Sequence, residues 1–178
     1  MNLRVHDILP KSRAQGPGTR YTVWVQGCSI HCPGCSNTDT WDPKSGYDIP
    51  VDELVGRILN EKGIDGVTIT GGEPLDQIEA VCDLCLKLQG KISIFLTTGY
   101  SMVQLILKGL SKIEKYVDIL CIGPFDASQV CRGEWKGSSN QEIAYLTDLG
   151  KEQSKMPVTL KEIRINKSGS ILITGFTQ

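Results

Sequence analysis

An α/β fold with a mostly parallel sheet is predicted by two features of this 178-residue chain. Segments rich in β-branched residues alternate with segments of helical periodicity. The strand-like segments that end near Gly71, Gly99 and Gly123 run into glycine turns, the punctuation expected between a strand and the next element. The length suits one domain, residues 1–178, large enough for its own core. It falls short of a complete eight-unit β/α barrel, which takes about 250 residues.

Taken in order, residues 2–9 read as a short extended lead-in, with His6 a surface or packing histidine. Gln15-Gly16-Pro17-Gly18-Thr19-Arg20 is a turn by its glycine and proline content. Residues 21–25 are β-branched and aromatic, hence a strand. Residues 46–50 read as a loop. A helix over 51–61 carries Leu54, Val55, Ile58 and Leu59 on one face, and Gly63 suits its end. Residues 66–70 form the next strand. A helix over 76–89 comes after it, with Ile78, Val81, Cys82, Cys85 and Leu88 at helical spacing. A strand at 91–97, a helix from 101 to about 110 and a strand at 116–122 complete the alternation. Residues 149–157 are polar and turn-rich. Residues 161–165 and 170–174 suggest a hairpin across Asn166-Lys167-Ser168-Gly169. No internal repeat or low-complexity segment is present.

Composition narrows the function. Nineteen basic and 20 acidic residues give a formal net charge of −1, which argues against nucleic-acid binding by bulk electrostatics. No stretch approaches about 20 apolar residues, so no membrane span is expected, and residues 1–10 hold no apolar run of signal-peptide kind. Seven cysteines, an odd number, fit metal or redox chemistry better than a disulfide framework. A reducing cytoplasm is the expected compartment.

Three of those thiols, Cys28, Cys32 and Cys35, lie within eight residues at Cys-x-x-x-Cys-x-x-Cys spacing. Soft thiolates so placed favour zinc or an iron–sulfur cluster. Three ligands are one short of a closed site, which leaves a position open for a ligand. The plainer alternative is a zinc-binding interaction module with a distant fourth ligand; His31, between two of the cysteines, is expected to face outward. Cys82 and Cys85 share a helix face and are read as packing residues rather than a second metal site. Cys121 and Cys131 lack metal spacing with the triplet and read as structural or incidental.

The cysteine spacing, set between Trp24-Val25-Gln26-Gly27 and Ser36-Asn37, resembles the radical S-adenosylmethionine superfamily, and more narrowly the activating enzymes of anaerobic ribonucleotide reductase. Three further stretches carry the likeness: Gly71-Gly72-Glu73-Pro74, Thr98-Gly99-Tyr100, and the run Trp135-Lys136-Gly137-Ser138-Ser139-Asn140-Gln141. The resemblance implies a partial, open parallel β/α barrel with a [4Fe–4S] cluster on Cys28, Cys32 and Cys35 at the C-terminal ends of the strands. It implies S-adenosylmethionine as cofactor, its ammonium lined by Gly71, Gly72 and Glu73, with Thr98 or Tyr100 facing it. For Glu73 a helix-start carboxylate is the alternative; for Thr98 and Tyr100, a turn or packing role. Trp41, in the segment after the cysteines, is either core or cover for the cluster. Where the family carries an aspartate before a glycine, this chain has Ile122, and Asp118 and Asp126 are the nearby carboxylates.

The implied activity is reductive cleavage of S-adenosylmethionine to a 5′-deoxyadenosyl radical, which takes hydrogen from a glycine of a large anaerobic ribonucleotide reductase. An external donor such as flavodoxin or ferredoxin would supply the electron. A radical enzyme acting on a small molecule or another peptide is the alternative within the superfamily.

Overall fold

The computed structural model describes residues 1–165 and 168–175. In chain order its strands are β1 (Asn2–Ser12), β2 (Arg20–Val25), β3 (Tyr47–Pro50), β4 (Gly66–Gly71), β5 (Ser93–Thr98), β6 (Ile119–Ile122), β7 (Glu142–Tyr145), β8 (Lys161–Ile165) and β9 (Ile171–Gly175). The helices are α1 (Val51–Asn60), α2 (Ile78–Leu88), α3 (Met102–Leu107) and α4 (Asp148–Gln153). The fold is mixed α/β. One seven-stranded sheet runs in the order β3-β1-β2-β4-β5-β6-β7, and β8-β9 form a separate pair. The centre, β2-β4-β5-β6, is parallel; both flanks are antiparallel. The expected parallel sheet is therefore the core of a broader mixed one.

Alternation along the central strands sorts side chains between two faces. Ile94 and Leu96 of β5 and Leu120 of β6 join Leu54 and Ile58 of α1 and Val81, Leu84 and Leu88 of α2 in the main core. Each such side chain, fully withdrawn from water, contributes about 2 kcal/mol. Phe95, Ile119 and Cys121, on the other face, meet Trp135 in a smaller cluster. α1 and α2 thus cover one face of the sheet, and the opposite face lines a cavity.

Several expectations are corrected. Residues 2–9 belong to an eleven-residue strand that lies between β3 and β2, with Leu3 and Val5 fully buried. Its apolar alternation is short, and its pairing with β2 is broken between Leu9 and Ser12, where Pro10 sits without a ladder donor. The stretch 46–50 contains a strand, β3, paired to β1. Within 149–157 lies most of α4, capped by the Thr147 hydroxyl, which accepts from Gly150 N. The segment 76–89 divides into a 3-10 turn, Pro74–Gln77, and α2 proper. β6 begins at Ile119, three residues later than expected. The hairpin forms as expected, with Ile163 opposite Ile173 and Ile165 opposite Ile171; residues 166 and 167 of its turn lie outside the described residues.

Arg20, read from sequence only as part of the approach to β2, is fully buried. Its guanidinium donates to the carbonyls of Val67 (2.6 Å) and Ser93 and to the side chains of Thr68, Ser93 and Gln153. Burial pushes its pKa down to about 9, against the pull of Asp118 and Asp65, so it remains a cation at neutral pH. It ties β2, β4, β5 and α4 together at the N-terminal ends of the parallel strands, opposite the end where the cysteines lie.

Candidate metal centre

β2, β4, β5 and β6 all deliver their C-terminal ends to one cavity of about 490 Å³. Its wall includes Cys28, Cys32 and Cys35 from the loop after β2, Gly71, Gly72 and Glu73 after β4, and Thr98 and Gly99 at the end of β5. The residues singled out as site residues are thus brought together, by parallel strands whose ends must lie side by side.

The cysteine loop is held close to the Gly71-Gly72 turn. Gly27 N donates to Thr40 O, Cys28 N to Trp41 O, Gly72 N to Val25 O and Glu73 N to Gly27 O. A Cβ on Gly72 would sit 2.1 Å from the carbonyl oxygen of Gly27, so the close approach requires glycine there. Gly71, at φ +107°, leaves no more room against Trp24 and Val25. His31 has a positive φ of 51°, and its ring rests on Trp41 with centroids 4.6 Å apart. Its outward position is as expected. Trp41, half-buried and part of the cavity wall, is cover for the loop rather than core.

Backbone amides lie near the three sulfurs. Those of His31 and Ile30 address Cys28, and that of Phe125 addresses Cys32. Asn37 N donates to Cys35 Sγ at 3.4 Å. Burial pushes the Cys28 and Cys32 thiols up; these amides pull them back down. Amide donors aimed at sulfur favour the thiolate that a metal needs, and they help set the potential of a cluster. Among the described residues no three His, Cys, Asp or Glu side chains converge closely enough for a single metal ion. Three half-buried thiols in the wall of a cavity of about 490 Å³ leave room for a group larger than a single ion. The donor set therefore fits an iron–sulfur cluster.

Glu73 is 1% exposed. Oε1 accepts from Leu75 N (2.9 Å) and Thr98 Oγ1 (2.8 Å), and Oε2 accepts from Gly99 N (2.8 Å). Burial raises its pKa to about 7, although all three donors pull it down; nearby Asp76 adds to the rise. Glu73 starts a 3-10 turn, the helix-start role the sequence offered, and it also lies in the cavity wall. Thr98 lines the cavity, but its hydroxyl is directed at Glu73. Tyr100 is buried and donates its phenol to Asp76 Oδ1 at 2.8 Å.

The run 135–141 acts as a clamp, a role its residue types did not disclose. Gln141 Oε1 accepts from Gly137 N and Ser138 N, and its Nε2 donates to Gly123 O. Asn140 Nδ2 donates to Pro124 O. The loop is thereby strapped to the end of β6, with Trp135, Lys136 and Gly137 in the cavity wall. Cys121 is structural, as one of the two expected readings has it, packed with Phe95, Ile119 and Trp135; it and Cys131 also border the cavity. Cys82 and Cys85 pack against or within the main core, as expected. Ile122 is core as well. Neither nearby carboxylate substitutes there: Asp118 accepts from Ile94 N before β6 begins, and Asp126 caps the short turn 127–129.

Sequence comparison identifies the same region. The model of the family described as "4Fe-4S single cluster domain" matches residues 14–144. The anaerobic ribonucleoside-triphosphate reductase-activating protein of Vibrio cholerae is 32% identical over 155 residues, covering 82% of this chain and 99% of the relative. The protein of that name from Enterobacteria phage T4 is 33% identical over 149 residues, 79% of this chain and 93% of the relative. The pyruvate formate-lyase-activating enzyme of Clostridium pasteurianum is 37% identical over a shorter span, 54% of this chain and 44% of that enzyme. With the thiols, their amide donors and the glycine turn in one cavity, the chain belongs to the 4Fe-4S single cluster domain family and, within it, to the anaerobic ribonucleoside-triphosphate reductase-activating proteins.

Proposed function

We propose that this chain is a radical S-adenosylmethionine enzyme that installs a glycyl radical on a partner anaerobic ribonucleotide reductase. Bound here, a [4Fe–4S] cluster would pass one electron from an external donor for reductive cleavage of S-adenosylmethionine to methionine and a 5′-deoxyadenosyl radical, the species that would take hydrogen from a glycine of the partner. Cys28, Cys32 and Cys35 hold the cluster. Gly71 and Gly72, free of side chains, let backbone carbonyls approach the ammonium of S-adenosylmethionine, and Glu73 adds a carboxylate. Thr98 holds that carboxylate in place. The 135–141 clamp and Trp41 shield the site, which limits reaction of a radical with water.

The observation that carries this reading is the set of three half-buried sulfurs in the cavity that Gly71, Gly72 and Glu73 also line. α1 and α2 on one face of the sheet and the cavity on the other support reading residues 1–178 as one domain built as an open, partial β/α barrel. A barrel open on one side admits a loop of a protein substrate. Seven free thiols suit a reducing cytoplasm, and a flavodoxin or ferredoxin is the class of donor that delivers single electrons there. A formal charge of −1 supports a protein partner over nucleic acid. Among the described residues no helix is long and apolar enough to cross a membrane.

The test is anaerobic reconstitution with iron and sulfide, then incubation with S-adenosylmethionine, a reductant and either a reductase or a pyruvate formate-lyase as partner. A glycyl-radical signal in electron paramagnetic resonance with the reductase, and not with the lyase, is expected. Protein that takes up zinc but no iron would overturn the reading. Cleavage of S-adenosylmethionine without any partner radical would restrict it to the cofactor chemistry and overturn the assigned substrate.

A further inference from the structure

Asp76 is an acidic residue in the first turn after Pro74, and on sequence grounds it is an ordinary helix-start carboxylate. Its contacts lie elsewhere. Oδ2 accepts from the backbone amide of Ser29 at 2.7 Å, and Oδ1 from the Ser29 hydroxyl at 2.9 Å. Oδ1 also accepts from the Tyr100 phenol at 2.8 Å, and Tyr100 Oη lies 3.0 Å from Ser29 Oγ. Ser29 is the residue directly after Cys28 and lies 47 residues from Asp76 in sequence. One carboxylate therefore ties together the loop after β2, the turn after β4 and the end of β5.

Two further contacts fix the same junction. Gly99 leaves space for Ile30: a Cβ there would come within 2.7 Å of Ile30 Cδ1. The ammonium of Lys108 lies 5.3 Å from the centre of the Tyr100 ring, a cation–π distance that holds the phenol's orientation. The amides of Ile30 and His31 are turned inward to Cys28. That of Ser29 is turned outward to Asp76. Bonds to a carboxylate are stronger than neutral ones, so this is the firmest external hold on the stretch between the first two cysteines.

We infer that Asp76 is the positioning residue of the cysteine loop, holding Cys28 in register with the Gly71-Gly72-Glu73 turn before any cluster is bound. The inference rests on the cluster reading only for its consequence; the tether itself belongs to the metal-free chain. Asp76 touches no reacting atom. It acts through Ser29.

The experiment compares wild type, Asp76→Ala and Asp76→Asn. In the metal-free chain, amide hydrogen exchange at Ser29 and the rate of Cys28 alkylation report the tether. Both are expected to rise about tenfold in Asp76→Ala, which loses the carboxylate's bonds from the Ser29 amide, the Ser29 hydroxyl and the Tyr100 phenol together. Exchange in β4 and β5 should be unchanged, which separates a local tether from general loss of stability. Asn keeps an acceptor for the Ser29 amide and is expected to restore protection to within about threefold. After reconstitution, the Asp76→Ala cluster should be lost several-fold faster than that of wild type or Asp76→Asn, monitored by its visible absorption. Unaltered Ser29 exchange in Asp76→Ala would overturn the inference, as would equal cluster lifetimes in all three proteins. If wild type takes up no iron, the cluster reading fails, while Ser29 exchange still decides the tether.

Discussion

At the scale of single residues, the seven cysteines divide by what surrounds each sulfur. Cys28, Cys32 and Cys35 face the cavity with amides directed at them, whereas Cys85 is fully buried in α2 and burial pushes its thiol far above the ordinary range. Replacing any one of the three loop cysteines by Ala is expected to abolish cleavage of S-adenosylmethionine and most iron retention. Cys82→Ala is expected to leave both largely intact, and Cys85→Ala to cost about 1 kcal/mol of stability without loss of iron. Iron and sulfide per chain, with urea unfolding alongside, check this. Glu73 makes a second residue-scale prediction. Its carboxyl titrates near 7 when folded against 4.5 ordinarily, so the folded chain binds the proton more tightly. The stability this contributes is complete below pH 4.5 and is lost as pH rises through about 7. The swing is of order 3 kcal/mol. Measured on the metal-free chain, the stability of wild type relative to Glu73→Gln should fall across that window. A difference that stays flat from pH 4.5 to 7.5 would contradict the burial argument.

At the scale of elements, the site depends on how closely two turns approach. Gly72 presses on the carbonyl of Gly27, and a methyl group has nowhere to go because the obstructing atoms are backbone. Gly72→Ala is expected to destabilise the chain by about 3 kcal/mol and to loosen the cysteine loop. Gly56, inside α1, is the contrast: a Cβ there meets nothing within 4 Å. Gly56→Ala should stabilise by about 0.5–1 kcal/mol, because alanine costs less to order in a helix. Thermal unfolding of the two variants side by side tests both signs. The 135–141 run has a related logic. Asn140 and Gln141 use their amide groups on the backbone of Gly123, Pro124, Gly137 and Ser138, so side chains there do the work that a strand pairing does elsewhere.

At the scale of the molecule, β8-β9 is a separate two-stranded sheet that lends Leu172, Ile173, Thr174 and Gly175 to the cavity wall. Among its bonds to the rest, Glu162 accepts from Ser12 Oγ and Arg13 N. Its four cross-paired isoleucines, Ile163, Ile165, Ile171 and Ile173, are each more than half exposed. A two-stranded ribbon is marginal by itself in water. Amides of β8 and β9 are therefore expected to exchange by local opening, at lower free energy than those of β4 and β5, which exchange only with global unfolding. Equal protection in both would show that the pair is as firmly held as the sheet.

The amino-acid sequence by itself determined the central strands, the helices between them, the cysteine loop and the glycine turn after β4. These are written in neighbouring residues: β-branching, helical periodicity, close-spaced thiols, paired glycines. Only the tertiary structure decided the flanks of the sheet, since β1, β3 and β7 exist by virtue of partners that short-range pattern does not name. It alone decided that Glu73 is buried, that Thr98 serves Glu73, that Arg20 ties four elements together, and that Asp76 holds Ser29. Each of these rests on hydrogen bonds between residues 25 or more apart in sequence. The free energy of such a bond depends on where the fold brings its partner and on how much water it excludes, and neither is a property of local sequence.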